Sequence, residues 1–446
     1  MKVVSLAING ERITATGSTA NIRKLAGANT KVIDLKGKTV IPGLIDNHFH
    51  LIRGAANWTN EARIDLVNTH KEALALISAK AKALGPGKWV FAIGGWSENQ
   101  FTDKRRGFTK AELDAAAPNN PVFLPRTYGA GYANTLALKA AKIGPDTPNP
   151  KRGKIIKGKD GKPTGVIRGF GAIVSFAKNF PKTSGAEWTK NFQAMMTSMN
   201  ASGLTTVHDI GGRGASPKQY GMAQKLADSQ GGKLSLRIFY SHRYPRNKGF
   251  DAAIASIKGA PKAQASDYFR RLGIGEGIWS RLNDNVTRPY KIKKGPFKEY
   301  KQIVSTAGSR RWPIHTHAMT TKKISYLLDM FKDIDSKINI KPLRWTIAHA
   351  YGISAANLKA AKDLGMVVAF HSTPTINGAS WKKAIKIKGP LEMPPLKRAQ
   401  ESGIVWGLGT DPNVVAPYLL FQEVNTIALG PKSNAKLIVI STKMLL

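Results

Sequence analysis

The stretch from Thr39 to Leu51 constrains this chain more than any other. It reads TVIPGLIDNHFHL, an apolar run that turns at a Pro-Gly pair, becomes apolar again and ends in two histidines one residue apart. Side chains at positions i and i+2 of a β-strand share a face, so His48 and His50 point the same way, with Phe49 opposite. Two imidazoles placed like this can hold one divalent cation, or they can be polar residues of a surface strand.

Four later segments have the same form, a strand-like apolar run that ends in a residue able to ligate metal. These residues are Glu276, His317, His349 and Asp411. Helical patterns such as 323–332 and 354–364 lie between the strands, which indicates an α/β fold with a parallel barrel or sheet. Strand C-termini meet at one face of a barrel, so these residues can form one site although they lie far apart in the sequence.

The run from Val40 to His50 resembles the first-strand signature of the amidohydrolase superfamily, the metal-dependent (β/α)8 hydrolases. The Gly-Trp segment at Trp96 and the run 132–138 resemble its family 3 branch, the YtcJ-like proteins, which include N-substituted formamide deformylases. One departure concerns a histidine that the family carries a few residues before the second run. This chain has Gly129-Ala130 there, so the contact to the substrate that the family's histidine implies does not carry over to this chain.

The resemblance implies an α/β fold class, a (β/α)8 TIM-type barrel with a small β-sandwich domain built from the N- and C-termini. The expected domains are a β-sandwich of 1–42 and 434–446 and a hydrolase barrel of 43–433 with helical insertions around 51–200. Asn9-Gly10 lies between two apolar runs and predicts a hairpin in the sandwich, and the apolar run 31–35 predicts a further short strand. The segment between Asp411 and the closing strand is shorter than in the family.

The resemblance also implies a hydrolytic centre that holds divalent metal, with zinc expected as one or two ions. Its expected metal ligands are His48, His50, His317, His349, Asp411 and Glu276. Asp411 and His317 are the expected catalytic residues. Water activated by the metal attacks a carbonyl, and Asp411 acts as general base and then as acid toward the leaving nitrogen. The reaction expected is hydrolysis of a non-peptide C–N bond in an amide, an N-substituted formamide or a cyclic amide.

The metal count stays open, because many relatives carry a carboxylated lysine on the fourth strand that bridges two metals. This chain has Leu272 at that position, and Glu276 is the nearest residue able to ligate. Glu276 can bridge two cations, or it can accept a hydrogen bond from a metal-bound histidine.

Several other polar residues near strand ends are candidates for the same site. Expected substrate-binding residues are Trp96, His208, Asp209 and His371. His315 shares a face with His317 and is expected to support a ligand or to lie in the core, since His317 is nearer the strand end.

The charge of the chain suggests other partners. Lys and Arg number 68 against 28 Asp and Glu, a net charge of +40, which is typical of proteins that bind nucleic acid or anionic surfaces. The lysines are scattered and lack interleaved aromatic residues, so we do not expect nucleic acid as a partner. Two alternatives to the enzyme stay open: a catalytically silent barrel that binds a small molecule or metal, and a basic protein that binds anions or nucleic acid.

The remaining composition limits the class of protein further. The chain has no cysteine, which excludes disulfides and thiolate metal ligands. It has no apolar run of about 20 residues and no signal-peptide pattern, so we expect a cytoplasmic protein without a membrane partner. The partners expected are a small amide-type substrate and a second copy of the chain in a homodimer.

Overall fold

The structure is a computed structural model that describes residues 5–126, 129–212, 215–244, 248–263, 266–371, 373–386, 392–412 and 437–439. The short segment expected after Asp411 falls outside these residues from position 413 to 436. No helix within the described ranges is long and apolar enough to cross a membrane.

The N-terminal residues form the predicted hairpin. Strand β1 (Ser5–Asn9) pairs antiparallel with β2 (Arg12–Gly17) around Gly10, whose φ of +59° is the left-handed conformation that favours glycine in such turns. A short helix α1 (Thr19–Arg23) follows, capped by the hydroxyl of Ser18. The strand predicted at 31–35 is wrong. Val32 and Ile33 are exposed there, and no described strand lies alongside to supply hydrogen bonds.

The two ends of the chain meet at one small sheet. Strand β3 (Thr39–Ile41) pairs in parallel with β17 (Leu437–Val439), residue for residue. This pairing ties the C-terminal segment to the N-terminal one immediately before the histidine-bearing strand.

Two four-stranded parallel sheets carry the rest of the strands that matter for the site. The first has the order β12-β11-β10-β4, and the second has the order β13-β14-β15-β16. The strands of the first are β4 (Leu44–Phe49), β10 (Leu204–Asp209), β11 (Arg237–His242) and β12 (Phe269–Ile274). Those of the second are β13 (His315–Ala318), β14 (Thr346–His349), β15 (Val367–His371) and β16 (Trp406–Gly409).

The two sheets touch at both of their edges. Ile274 at the end of β12 forms a parallel bridge with Ile314, directly before β13. At the other edge, the amide of Asp411, just after β16, donates a hydrogen bond of 3.0 Å to the carbonyl oxygen of His48 in β4. The protein is therefore α/β with parallel sheets, as expected from the alternation of strands and helices.

Helices connect these strands, and the two predicted helical segments are confirmed. The helices are α2 (Leu51–Gly54), α7 (Gly185–Ala201), α8 (Pro217–Ser229), α9 (Phe250–Lys258), α10 (Lys294–Ser309), α11 (Thr321–Ile338), α12 (Ala355–Asp363), α13 (Thr373–Ile385) and α14 (Leu396–Ser402). Helix α11 repeats apolar residues every three or four positions, and Phe331 on its inner face packs edge-on against the fully buried Trp345, ring centroids 5.2 Å apart. Apolar burial of this kind is the main stabilising contribution to the core.

The insertion between β4 and β10 is less helical than expected. Between α2 and α7, the described residues of the insertion form a five-stranded mixed sheet of order β5-β6-β7-β9-β8 as well as four α-helices. Its strands are β5 (Val90–Phe91), β6 (Val122–Arg126), β7 (Ala130–Ala133), β8 (Lys154–Lys157) and β9 (Pro163–Arg168), and its helices are α3 (His70–Leu84), α4 (Lys110–Ala116), α5 (Thr135–Ala140) and α6 (Phe170–Ala177). Several of these strands have only two to four residues, too few to give a clear alternating pattern in the sequence.

Helix α3 illustrates how local sequence sets the element boundaries here. Thr69 and Glu72 form a reciprocal capping box at its start, and the helix ends before Gly85, whose φ is +82°. Both signals are visible in the sequence.

Candidate metal centre

Strand β4 delivers the first two histidines as its sequence predicts. His48 lies inside the strand and His50 directly after it, and both side chains are buried, while Phe49 packs into the apolar core on the other side. Burial lowers the pKa of His48 well below its usual value, since the charged form loses water and other imidazoles lie close by. His48 is therefore neutral and keeps a lone pair that can ligate a cation.

A buried aspartate joins this strand to the last one. The carboxylate of Asp46 accepts hydrogen bonds from the His48 amide at 3.0 Å and from the Thr410 hydroxyl at 2.6 Å. Burial raises the pKa of Asp46 to about 7. This clamp holds Asp411 beside the histidines, so that its Oδ1 lies 3.1 Å from His50 Nε2 and 3.7 Å from His48 Nε2.

Glu276 lies at the centre of the candidate site, two residues beyond the end of β12. Its Oε1 is 2.8 Å from His317 Nδ1 and 2.8 Å from His349 Nε2, and its Oε2 is 3.6 Å from His50 Nε2. Burial by itself raises the pKa of Glu276, but the hydrogen bonds from His317 and His349 outweigh it and hold the pKa well below its usual range. Glu276 is thus an ionised carboxylate with an imidazole on several sides.

Gly275 allows Glu276 to approach the site so closely. A Cβ atom at Gly275 would lie 2.3 Å from Ser241 Oγ and 2.4 Å from the carbonyl oxygen of Ile210. Only glycine fits between these two groups without moving the backbone.

His317 is held from behind by a carboxylate that sequence reasoning missed. Its Nε2 lies 3.3 Å from Oδ1 of Asp284, which is fully buried and also accepts from the Thr320 amide at 2.8 Å. Burial lowers the pKa of His317, but the hydrogen bonds to Asp284 and Glu276 raise it to about 9. No motif surrounds Asp284 in the sequence, and only the folded chain brings it to β13.

His349 and His371 end neighbouring strands and contact each other. Their Nδ1 atoms lie 2.7 Å apart, and both side chains are buried. His349 and Ala350 have positive φ values of 68° and 50°, an uncommon conformation for residues other than glycine that turns the chain sharply at the strand end. The His349 ring thereby faces Glu276 with Nε2 and His371 with Nδ1.

A further buried network fixes His50. Asp209 accepts hydrogen bonds from the Ile52 amide at 2.7 Å and from the Gly211 amide at 2.8 Å. The carbonyl oxygen of Gly211 lies 2.5 Å from His50 Nδ1. This contact leaves Nε2 of His50 directed at Asp411 and Glu276. Asp209, expected to bind substrate, is thus engaged in holding the His50 loop.

The other candidate residues lie at increasing distance from these groups. His315 contacts His48, with Nε2 2.8 Å from Nδ1, and its ring centroid is 5.4 Å from that of His208. Trp96 has no exposed surface and packs among the aromatic rings of the insertion. Its role in substrate binding stays a prediction, as does that of His208.

The residues brought together suit a divalent cation. We call them the central cluster: His48, His50, Glu276, His317, His349, His371 and Asp411. Three groups within it have donor atoms that all lie within 4.8 Å of one another: His48 with His349, His371 and Asp411; His48 with His50 and Glu276; and Glu276 with His317 and His349. Buried imidazole nitrogens and carboxylate oxygens form the donor set that zinc and similar metals prefer.

The chain is similar to known proteins over most of its length. The model of the amidohydrolase family matches residues 31–426, which confirms the resemblance seen in the sequence. An N-substituted formamide deformylase of Arthrobacter pascens is 33% identical over 210 residues, covering 46% of this chain and 38% of that protein. The putative amidohydrolase YtcJ of Bacillus subtilis is 35% identical over 158 residues, covering 35% of this chain and 29% of that protein. The matches thus span well under half of these relatives.

Solved structures share the fold. An uncharacterised metal-dependent hydrolase from Pyrococcus horikoshii OT3 matches with a TM-score of 0.59 at 17% identity, over 93% of this chain and 80% of that one. Its counterpart from Pyrococcus furiosus matches with the same TM-score of 0.59 at 18% identity.

Proposed function

Because the chain belongs to the amidohydrolase family, we propose that it is a metal-dependent hydrolase that cleaves a non-peptide C–N bond. The observation that carries the proposal is the meeting of Glu276 with His317 and His349, at 2.8 Å each, beside the His50–Asp411 pair at 3.1 Å. These residues come from five separate strand ends, β4, β12, β13, β14 and β16. Buried titratable groups gathered like this are typical of functional sites.

The metal is proposed to be zinc, held by imidazoles of His48, His50, His317 and His349 and by the carboxylates of Asp411 and Glu276. When bound, such an ion supplies Lewis acidity, which polarises a carbonyl and lowers the pKa of water from 15.7 to about 7. Glu276 contacts His317 and His349 through Oε1 and lies near His50 through Oε2. We therefore propose that the site would hold two ions, with Glu276 as the group between them.

Asp411 is proposed as general base and acid. Its carboxylate is the one in the central cluster that follows the last strand, and the Asp46–Thr410 clamp keeps it beside His50. From there Oδ1 can take a proton from the attacking water and deliver it to the leaving nitrogen, a transfer that typically contributes about 10²–10⁴-fold. His317, held by Asp284, is proposed to stabilise the negative charge that develops on the carbonyl oxygen.

The finer architecture is proposed along the same lines. The eight parallel strands would close into one (β/α)8 barrel of residues 43–433, supported by the Ile274–Ile314 bridge at one edge and the Asp411–His48 hydrogen bond at the other. Residues 1–42 and 434–446 would form a β-sandwich, supported by the pairing of β3 with β17. The central cluster would then lie at the C-terminal mouth of the barrel.

The substrate class proposed is a small N-substituted formamide or a related amide. The similarity to a formamide deformylase supports this choice, and the chain itself does not fix the substituent on nitrogen.

The test is release of amine from a panel of N-substituted formamides, amides and cyclic amides by the purified protein. The expected result is turnover that a chelator abolishes and that zinc restores. A protein that binds zinc but releases no amine from any member of the panel would favour the silent binding protein, and the proposal would be wrong.

A further inference from the structure

His371 is the residue of the central cluster whose proximity to the metal ligands the sequence did not predict. It ends β15, and its position predicted only a contact to the substrate. Its side chain is completely buried, and its ring centroid lies 3.9 Å from that of His48 and 4.3 Å from that of His349. A residue without exposed surface, packed between two candidate ligands, is poorly placed to meet a substrate and well placed to meet the same cation.

Two imidazole nitrogens of the central cluster lack a hydrogen-bond partner among the described residues. Nε2 of His371 and Nε2 of His48 are buried and have no hydrogen-bond partner among the described residues. A buried polar atom without a partner is destabilising, and such atoms in a folded protein often mark an ion or water. A cation ligated by these nitrogens would supply the missing partner.

One group of four residues with closely spaced donor atoms does not include Glu276. His48, His349, His371 and Asp411 each offer one donor atom within 4.8 Å of the others, and all four side chains are buried. Three imidazoles and one carboxylate can form a complete four-coordinate zinc site. We propose that His371 is a metal ligand, and that His48, His349, His371 and Asp411 form a cation position in which Glu276 takes no part.

The position at His371 shares His349 with the Glu276–His317–His349 group, through the two different nitrogens of the ring. Nε2 lies 2.8 Å from Glu276 Oε1, and Nδ1 lies 2.7 Å from His371 Nδ1. A neutral imidazole has only one nitrogen with a free lone pair, so His349 serves one position at a time. Glu276 and a cation at the His371 position therefore compete for His349. A cation occupies the His371 position fully only when Glu276 no longer competes for that ring.

The inference rests on the proposed function only in requiring that the protein binds divalent metal. The test uses the full chain stripped of metal and titrated with Co²⁺, with bound metal counted after dialysis and the visible absorption of Co²⁺ recorded. Four proteins are compared: the wild type, Glu276→Gln, Glu276→Gln with His371→Asn, and Glu276→Gln with His242→Asn. His242 is the matched control, because it ends β11 and contacts Ser256 Oγ at 3.2 Å, outside the central cluster.

We expect Glu276→Gln to keep one equivalent of Co²⁺ with a four-coordinate spectrum. Adding His371→Asn should weaken that binding by at least about 100-fold, beyond the 10–100-fold typical of a residue that merely supports a ligand. Adding His242→Asn should leave it unchanged. Equal binding by Glu276→Gln with and without His371→Asn would overturn the inference, and so would a complete loss of Co²⁺ from Glu276→Gln alone.

The outcomes separate the two claims. If the wild type binds no Co²⁺, the proposed function is contradicted. If the wild type binds Co²⁺ but adding His371→Asn to Glu276→Gln does not weaken binding, only the role of His371 is contradicted. If the double variant fails to fold by circular dichroism, X-ray absorption on the cobalt form of Glu276→Gln decides instead. Three imidazole ligands support the proposed position, and two or fewer overturn it.

Discussion

The amide of Asp411 donates a hydrogen bond to the carbonyl oxygen of His48, with 3.0 Å between nitrogen and oxygen. Together with the hydrogen bonds from Thr410 to Asp46, this bond holds the end of β16 against β4, although 363 positions separate Asp411 and His48. The Asp411 carboxylate consequently lies beside His48 and His50, with Oδ1 3.1 Å from His50 Nε2.

Asp411→Asn should reduce amine release by about 10²–10⁴-fold, because the amide cannot take up a proton in the catalytic pH range. The amide oxygen remains available to the centre, so at least one equivalent of metal should stay bound. Turnover and metal content of the same preparation are measured together. Asp363→Asn, at an exposed pair with Lys359 on α12, is the control and should change neither. Unchanged turnover in Asp411→Asn would refute the proposed role.

Gly212→Ala should weaken metal binding by about 10–100-fold, the range typical of changes that disturb the support of a ligand. A Cβ atom at Gly212 would lie 2.8 Å from the His50 ring and would displace it. Gly232→Ala is the matched control, because Gly232 also has a positive φ (79° against 111°) but nothing within 4 Å of the added atom. Equal Co²⁺ affinities in the two variants would show that His50 is not held as described.

Asp284→Asn should destabilise the fold, because it leaves the ammonium of Lys323 buried near a neutral group. Lys323 Nζ lies 3.5 Å from Asp284, and both side chains are almost completely buried. Breaking a buried ion pair typically costs about 3–5 kcal/mol, whereas the exposed pairs of Asp333 with Lys301 and Lys337 should each contribute about 0–1 kcal/mol.

Urea unfolding of Asp284→Asn, Asp333→Asn and Asp284→Asn with Lys323→Met measures this difference. The double variant should recover most of the loss, since it removes the unpaired charge. A loss in Asp284→Asn no larger than that in Asp333→Asn would argue against a buried ion pair.

Glu112→Gln should lower stability at neutral pH and have no effect near pH 2. Hydrogen bonds from the Arg106 guanidinium, 2.6 and 2.9 Å long, are the main reason why the pKa of Glu112 falls from 4.5 to about 2. A carboxylate whose pKa is lower in the folded state stabilises that state above pH 4.5, and the contribution disappears as the pH falls toward 2.

Urea unfolding of the wild type and of Glu112→Gln between pH 2 and pH 7 tests the sign. Glutamine can still complete the cap of α4 at Thr109, so the difference reports the charge. Glu401→Gln, at an exposed side chain of α14, serves as control. A gap between wild type and Glu112→Gln that widens as the pH falls would contradict the pairing.

Removal of metal should lower the melting temperature, because the central cluster forms only in the folded chain. A ligand at 100 times its Kd stabilises the folded state by about 2.7 kcal/mol. Calorimetry with and without a chelator measures the shift, and chelator already saturated with zinc is the control. Identical melting curves in both conditions would mean that no cation is bound at the cluster.

Much of the secondary structure can be predicted from the sequence, because turns, helix caps and apolar periodicity each depend on residues close together in the chain. The Asn9-Gly10 hairpin, helices α11 and α12 and the alternation of strands and helices were all predicted correctly. The five-stranded sheet of the insertion was not, because three of its strands have only two to four residues and show no clear period. The exposed run at 31–35 looked like a strand but found no partner, and pairing is what makes a strand stable.

The sequence by itself determined the kinds of ligand and the strand ends that carry them, because an apolar run followed by His, Glu or Asp is a local pattern. Only the tertiary structure decided which of these side chains meet and through which atoms. Asp284 has no distinguishing neighbours in the sequence, and the sequence did not show that Asp46 and His371 contact the metal ligands, yet the folded chain brings all three to them. Hydrogen bonds and metal coordination act over about 3 Å, so they depend on distances in space that chain positions do not encode.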